Sequence, residues 1–217
     1  KKRFAKASDI EQVSFALDSL VDEAKALVDY QSANSQQRRF TLNDVSIRQE
    51  CDAMLMSQIF IAAEHRCHLA LAMDKNLPDA VTVDASKLRQ IFDIIFDQIW
   101  AVTSDSLVKF KLELADKSKG FISVRFTFYL MGVEHLPYWL NSLTIVELSS
   151  MQLQEHMPAK VKLLVSLVQQ MHGEISGLDT NKENSQFSLE LPFVTRQDVD
   201  KAVAPSLKDK NILIAPP

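Results

Sequence analysis

Glycine is scarce in this chain, and its scarcity limits the folds that the chain can adopt. Average usage near 7% predicts about 15 glycines in a chain of this length, but there are four, namely Gly120, Gly132, Gly173 and Gly177. Phosphate-binding loops need closely spaced glycines, because backbone N–H groups must approach an anion, often with positive φ. No two of these glycines are closer than four residues, which excludes a P-loop and a dinucleotide-binding fingerprint.

Charge and composition argue against further classes of protein, namely nucleic-acid-binding, membrane-spanning and disulfide-rich proteins. The net charge is −4 and the pI is near 5.7, and without an arginine–lysine stripe these values argue against nucleic acid as the main partner. The apolar runs fall short of the roughly 18 residues that cross a bilayer. Cys51 and Cys67 form no CxxC pair and no disulfide framework, which predicts a reducing, cytosolic setting. No signal peptide follows Lys1, so we expect the chain to begin inside a longer protein.

The first helix carries an apolar seam. Ser8 is a plausible N-cap, and the helix is predicted to continue to about Ala33. Its apolar residues follow steps of three and four, as in an a/d heptad: Ile10, Val13, Leu17, Leu20, Ala24 and Leu27. Such a seam fits either a surface helix on its own domain or a contact in a helical bundle or dimer. Because a strict seam is narrower than the usual core-facing stripe, it favours the bundle or dimer.

The middle of the chain alternates short extended segments with helices. Residues 40–45, 67–72 and 81–83 are predicted strands, and residues 46–65 a helix. Asp84 is predicted to cap a strongly apolar helix that runs to about Val102. Apolar and polar side chains alternate in residues 108–114 and 121–130, on either side of a turn at 116–120. This pattern predicts a β-hairpin with one solvent-exposed face.

The remaining segments complete an α/β fold. A helix is predicted from Pro158 to about His172, followed by one strand starting at 173–177 and another over 187–193. Residues 131–157 are left unassigned. The fold class is therefore an α/β sandwich with a mixed, mostly antiparallel sheet and helices on one face.

No cluster predicts catalysis. His65, Cys67 and His68 lie together, but this spacing seldom provides zinc geometry, and a helix end with polar groups in water is favoured. His135, His156 and His172 are scattered, and no nucleophile–base pair stands out.

The order of elements resembles the second dimerisation helix and ATP-binding domain of sensor histidine kinases. Three stretches carry this resemblance, at residues 83–92, 165–175 and 185–193, within a match that spans roughly residues 5–194. It implies that family's fold, with a dimerisation-helix segment at 1–37 and an ATPase-like domain at 38–194.

The functional positions depart from the family pattern. Gln98 stands where the family places its Mg²⁺-binding Asn, and Phe128 where an Asp binds the adenine amine; residues 158–161 replace a glycine-rich segment without any glycine. The other departures are Ile94 for an asparagine, Ala101 for a lysine and Leu130 for the first of the two glycines that follow the Asp, whereas Gly132 corresponds to the second. The resemblance therefore implies no catalytic residue, no metal and no cofactor; a divergent active kinase that still binds Mg-ATP is the alternative.

The last residues resemble a second family. Residues 210–217 look like the first strand of a receiver domain, with Pro216 and Pro217 replacing its acidic pair. We expect a linker at 195–210 and a truncated receiver-like domain from 211. This order is similar to the phosphotransfer intermediates of the Rcs phosphorelay, which implies an anchored parent at the cytoplasmic face of the bacterial inner membrane. The implied partners are a second copy or a related sensor kinase, and a response regulator through the flanking domains; the phosphoaccepting histidine would lie outside this chain.

Overall fold

The computed structural model describes residues 7–35, 41–118, 120–133, 157–181 and 184–195. These residues form four helices: α1 (Ala7–Ser35), α2 (Ile47–Glu64), α3 (Ala85–Trp100) and α4 (Ala159–Gln170). They also form seven strands: β1 (Asn43–Val45), β2 (His68–Met73), β3 (Val81–Val83), β4 (Leu107–Ser118), β5 (Phe121–Met131), β6 (Glu174–Asn181) and β7 (Asn184–Val194). The predicted linker and receiver-like segment, and most of the unassigned stretch 131–157, lie outside the described residues.

The strands form one sheet in the order β1-β3-β7-β5-β4-β2. All neighbours pair antiparallel except β2 and β4, which are parallel. Strand β7 pairs with β5 on one side and shares its other side between β3 and β6. The mixed, mostly antiparallel sheet confirms the predicted fold class.

The β4–β5 hairpin is confirmed, but it is longer than predicted. Residues 116–118 were assigned to the turn, yet Asp116, Lys117 and Ser118 pair with Ser123, Ile122 and Phe121. A register shift between Leu114 and Asp116 lets the ladder continue. The turn is thereby confined to the residues around Gly120, whose φ is +85°. The buried faces of both strands carry fully enclosed side chains: Val108, Phe110, Leu112, Val124, Phe126, Phe128 and Leu130.

Helix α3 begins where the sequence predicts. The Asp84 carboxylate accepts the Lys87 N–H at 3.2 Å and the Thr41 N–H at 3.0 Å, so one side chain caps the helix and holds the chain before β1. The helix ends at Trp100, two residues earlier than predicted, and the Thr103 hydroxyl donates to the Ile99 carbonyl at 2.8 Å. The helix lays a wide apolar face on the sheet.

Helices α2 and α4 both end in a left-handed residue that is not glycine. Arg66 and His172 each have φ of +56°. After α2 the Cys67 N–H donates to the Ala62 carbonyl at 2.8 Å, and after α4 the Gly173 N–H donates to the Val168 carbonyl at 2.8 Å. This is the Schellman pattern, which usually uses glycine. It ends α4 at Gln170, two residues before the predicted end.

Other predicted boundaries need small corrections. The first strand begins at Asn43 rather than residue 40, and β2 begins at His68 rather than Cys67. Residue 40 lies outside the described residues. The Cys67 N–H donates to the Ala62 carbonyl at the end of α2, so it is not available to the strand. Helix α1 continues to Ser35 instead of Ala33.

Candidate functional site

Phe128 lies at the centre of an aromatic cluster on the buried face of the sheet. Its side chain is 0% exposed. The ring stacks on Phe110 of β4, with centroids 4.8 Å apart, and on Phe187 of β7, also at 4.8 Å. These neighbours are cross-strand partners, since Phe110, Phe128 and Phe187 share one register line. The register of three strands therefore places three rings side by side.

Helix α3 covers this row of rings. Phe96 contacts Phe128 edge to face at 5.8 Å, and Phe92 lies 6.0 Å from it at a tilt of 44°. Because α3 supplies rings one turn apart, Phe128 is enclosed by both the sheet and the helix. A phenyl ring accepts no hydrogen bond from an amine in the way a carboxylate does, so this position packs the core and offers no polar recognition.

The end of β5 is also closed. Leu130 is 0% exposed, and the Ser185 hydroxyl donates to the Val133 carbonyl at 2.9 Å. Gly132 is exposed with φ of +80°, and a Cβ built there would meet nothing within 4 Å. The positive φ alone therefore explains why a glycine occupies position 132.

Ile94 and Gln98 lie on α3 and Ala101 directly follows it, and their spacing of four and three residues places them on one helical face. Ile94 is 6% exposed, Gln98 is half-buried and Ala101 is exposed. Of these only Gln98 carries an oxygen that could hold a cation. Within the described ranges, no group of three or more His, Cys, Asp and Glu side chains is placed to hold a metal ion. Among the described residues, the buried Phe128 ring offers no polar group and Gln98 offers one side-chain amide oxygen.

The segment with two histidines and a cysteine joins α2 to β2 and contacts the loop that precedes β4. The His65 Nδ1 lies 3.2 Å from the Thr103 carbonyl oxygen, and the Cys67 Sγ lies 3.2 Å from the Ser106 hydroxyl. His68 begins β2 and is exposed. The His65 and Cys67 side chains therefore contact separate partners, and the three side chains do not form a metal-binding group.

Helix α1 packs on α4 through polar contacts that the sequence did not predict. The Glu23 carboxylate accepts the Ala159 N–H at 2.8 Å, which caps α4 where Pro158 provides no side-chain cap. The Lys160 Nζ lies 2.9 Å from Asp97 of α3 and 3.6 Å from Asp22 of α1. Partial burial lowers the pKa of Lys160, but the carboxylates of Asp97 and Asp22 outweigh it and raise the pKa above its usual value. Lys160 thus joins three helices.

The predicted α1 seam is largely open to solvent. Val13, Leu17 and Leu20 are more than half exposed, Leu27 is 43% exposed and Ala24 is exposed. Ile10 belongs to the same helix. A different face, around the buried Ala26, lies against the body. None of the helices that the structure describes has the length and apolarity needed to cross a membrane.

Comparison with known proteins gives a likeness in fold. No protein-family model and no curated protein sequence matches the chain. Among solved structures, histidine kinase AdeS of Acinetobacter baumannii matches with a TM-score of 0.64 and 10% identity over 87% of this chain and 85% of AdeS. Full-length ShkA in complex with AMPPNP matches with a TM-score of 0.65 and 19% identity over 90% of this chain and 40% of ShkA.

A third structure contains a partner. Histidine kinase ThkA in complex with response regulator protein TrrA matches with a TM-score of 0.60 and 12% identity over 88% of this chain and 52% of that chain. The chain therefore spans about half or less of the length of ShkA and ThkA. At such identities the likeness concerns the fold, and the chain has the α/β fold of histidine-kinase ATPase-like domains.

Proposed function

We propose that this chain is a catalytically inactive histidine-kinase-like module of a phosphorelay phosphotransfer protein. It acts in signal transduction by dimerisation and by positioning a flanking receiver-like domain and a His-phosphotransfer domain. The dimerisation segment is residues 1–37, the ATPase-like domain residues 38–194, and the receiver-like domain begins at 211 after a linker.

The observation that carries this proposal is the packing of Phe128. In the family that the chain resembles, an Asp at this position accepts a hydrogen bond from the adenine amine. Phe128 is fully buried against rings of β4, β7 and α3. An adenine placed here would leave its polar edge unpaired, at a cost of about 1–3 kcal/mol, and would also have to displace a packed ring.

The metal position supports the same proposal. Gln98 is one methylene longer than the Asn that the family uses, and Ile94 one turn earlier offers no oxygen. Magnesium demands near-octahedral oxygen geometry at short distances, with phosphate oxygens and waters filling most of the six positions. The longer side chain of Gln98 alters the placement of the one protein oxygen, so no phosphoryl-transfer step is assigned to the domain.

Calorimetry with Mg²⁺–ATP and Mg²⁺–ADP tests this proposal. We expect neither saturable heat nor a shift in melting temperature, at protein concentrations that would detect millimolar affinity. Saturable heat that disappears with EDTA would contradict the proposal and favour the divergent active kinase. Gln98→Ala would then abolish the heat if Gln98 holds the metal, whereas Phe121→Ala, at a 54% exposed position on β5, would leave it unchanged.

The exposed seam on α1 supports the dimerisation part. A row of apolar side chains at heptad spacing gains burial when it meets a second such row. The partner is a second copy of the chain or a related sensor kinase, and the response regulator binds through the flanking domains. The complex of ThkA with TrrA supports this kind of partner for a protein of this fold.

Analytical ultracentrifugation tests the seam. The double variant Leu17→Glu with Leu20→Glu should be monomeric, because it places charges where apolar rows would meet. Phe15→Glu is the matched control, since Phe15 is 78% exposed but lies off the a/d positions. Unchanged association of the double variant, or equal loss in the control, would refute a heptad interface.

A further inference from the structure

A cavity of about 480 Å³ lies at the end of the sheet remote from Phe128. Ile122, which lines it, and Phe128 are six residues apart on the same strand, or about 20 Å at ~3.4 Å per residue. The cavity is thus separate from the position where the resembled family binds nucleotide. Its volume falls within the roughly 300–1,000 Å³ of small-molecule sites.

The loop between β2 and β3 forms one wall, and internal hydrogen bonds hold it in place. The Arg48 guanidinium donates to the carbonyls of Asp74 at 2.8 Å and Lys75 at 3.4 Å, and reaches that of Leu77 at 3.5 Å. The Asp74 side chain accepts the Asn76 N–H at 2.9 Å. This backbone hydrogen bond is the main reason why the pKa of Asp74 lies below its usual value. The wall is therefore formed before any ligand arrives, which lowers the ordering cost of binding.

The cavity combines an apolar interior with a positively charged rim. Pro78, Ala80 and Leu114, all half-buried, supply apolar surface, and the buried Leu77 and Ile122 lie behind them. Lys75 and Lys117 lie on the rim and are exposed, with Asp79 as the single acidic lining residue. Neither lysine has an ion-pair partner among the residues that the structure describes. The rim thus carries a net charge of about +1 in a chain whose total is −4.

We propose that this cavity binds a small organic anion with one negative charge and an apolar tail. The anionic group lies between Lys75 and Lys117, and the tail covers Pro78, Ala80 and Leu114. Burying an apolar tail contributes about 25 cal/mol per Å², while the lysines select for charge. The site does not depend on nucleotide binding at the other end of the sheet.

Titration of the full chain with octanoate, below its micellar concentration, tests this proposal by ¹H–¹⁵N NMR. We expect saturable shifts of the backbone amides of Leu77, Lys117 and Ile122. Octanol has the same tail without the charge, and acetate has the charge without the tail; both should bind more weakly. No saturable shift at these amides, or equal binding of octanoate and either reference compound, would overturn the proposal.

Variants locate the charge selectivity. The double variant Lys75→Gln with Lys117→Gln should weaken octanoate binding about fivefold, the effect expected of losing exposed charge–charge contacts. Lys109→Gln is the control, because Lys109 is exposed on β4 and its Nζ instead lies 5.7 Å from the Tyr129 ring centroid. Unchanged binding in the double variant, or an equal loss in the control, would overturn the assignment of the anion to this rim.

Discussion

Replacing Phe128 by alanine should destabilise the domain more than a typical core substitution. Phe→Ala changes in cores cost about 3–5 kcal/mol, since burial is lost and a cavity remains. Phe128 belongs at the upper end of this range, because its side chain is 0% exposed and two stacked rings lie 4.8 Å away. Each such ring pair contributes about 0.5–1.5 kcal/mol beyond burial. A loss near 5 kcal/mol is comparable to the whole stability of many domains, about 5–15 kcal/mol.

Urea denaturation followed by circular dichroism and tryptophan fluorescence measures this loss. Trp100 is a suitable reporter because it is 5% exposed and stacks on Phe96, itself a neighbour of Phe128. If Phe128→Ala does not fold, Phe128→Leu keeps most of the apolar volume and should show a smaller, measurable loss.

Phe121→Ala is the matched control. Phe121 lies on the same strand and is 54% exposed, so its replacement should change the free energy of unfolding by about 0.5–1 kcal/mol at most. A loss below about 2 kcal/mol for Phe128→Ala, or equal losses in the two variants, would refute the view that this ring is a central part of the core.

Three further changes test local features. His172→Gly should stabilise the fold by roughly 0.5–1 kcal/mol in thermal unfolding, because relief of a left-handed non-glycine residue contributes about 1–2 kcal/mol and the greater freedom of glycine in the unfolded chain offsets part of it. A destabilising His172→Gly would contradict the Schellman assignment, whereas the neighbouring Gly173→Ala should destabilise the fold because its Cβ would lie 2.7 Å from the Glu190 carbonyl oxygen. Glu23→Ala should lower the free energy of unfolding by about 1 kcal/mol and speed hydrogen exchange of the Ala159 amide. Glu23→Gln keeps an oxygen that can accept this hydrogen bond, so it should lower the free energy of unfolding by less. Equal exchange rates in the two variants would exclude capping by Glu23. Partial burial and the nearby Asp97 carboxylate raise the pKa of Asp93 above its ordinary value of 3.8, so ionisation of Asp93 lowers the free energy of unfolding as the pH rises above 3.8. Asp93→Asn should therefore raise the free energy of unfolding by about 0.2–0.5 kcal/mol at neutral pH and leave it unchanged well below pH 3.8. A gain in stability that persists in acid would show another cause.

Local patterns were enough to predict the elements that depend on nearest neighbours. The alternation around Phe110 and Phe126 predicted the hairpin, since side-chain direction in a strand repeats every two residues. Asp84 predicted the start of α3, because an N-cap needs only a short polar side chain and the next turn. The end of the hairpin was wrong by three residues, since the register shift after Leu114 depends on cross-strand pairing.

The assignment of Phe128 and Gln98 to the family's nucleotide positions rests on the resemblance alone and stays a prediction. The sequence could not show that Phe110 and Phe187 stack on Phe128, because these residues come from strands that are far apart along the chain. Lys160 and Glu23 were missed for the same reason, as their partners lie on other helices and carry no local signal.

The glycines show which features of the chain the sequence determines and which features only the tertiary structure decides. Its scarcity excluded phosphate-binding loops from the sequence alone, because such loops need closely spaced glycines whatever the surrounding fold. The reason for Gly173 came only from the tertiary structure: a Cβ there would lie 2.7 Å from the Glu190 carbonyl oxygen, on a strand that the α4 turn closely approaches. Local propensities act within a few residues of chain, whereas close approach and strain are decided by packing between distant segments.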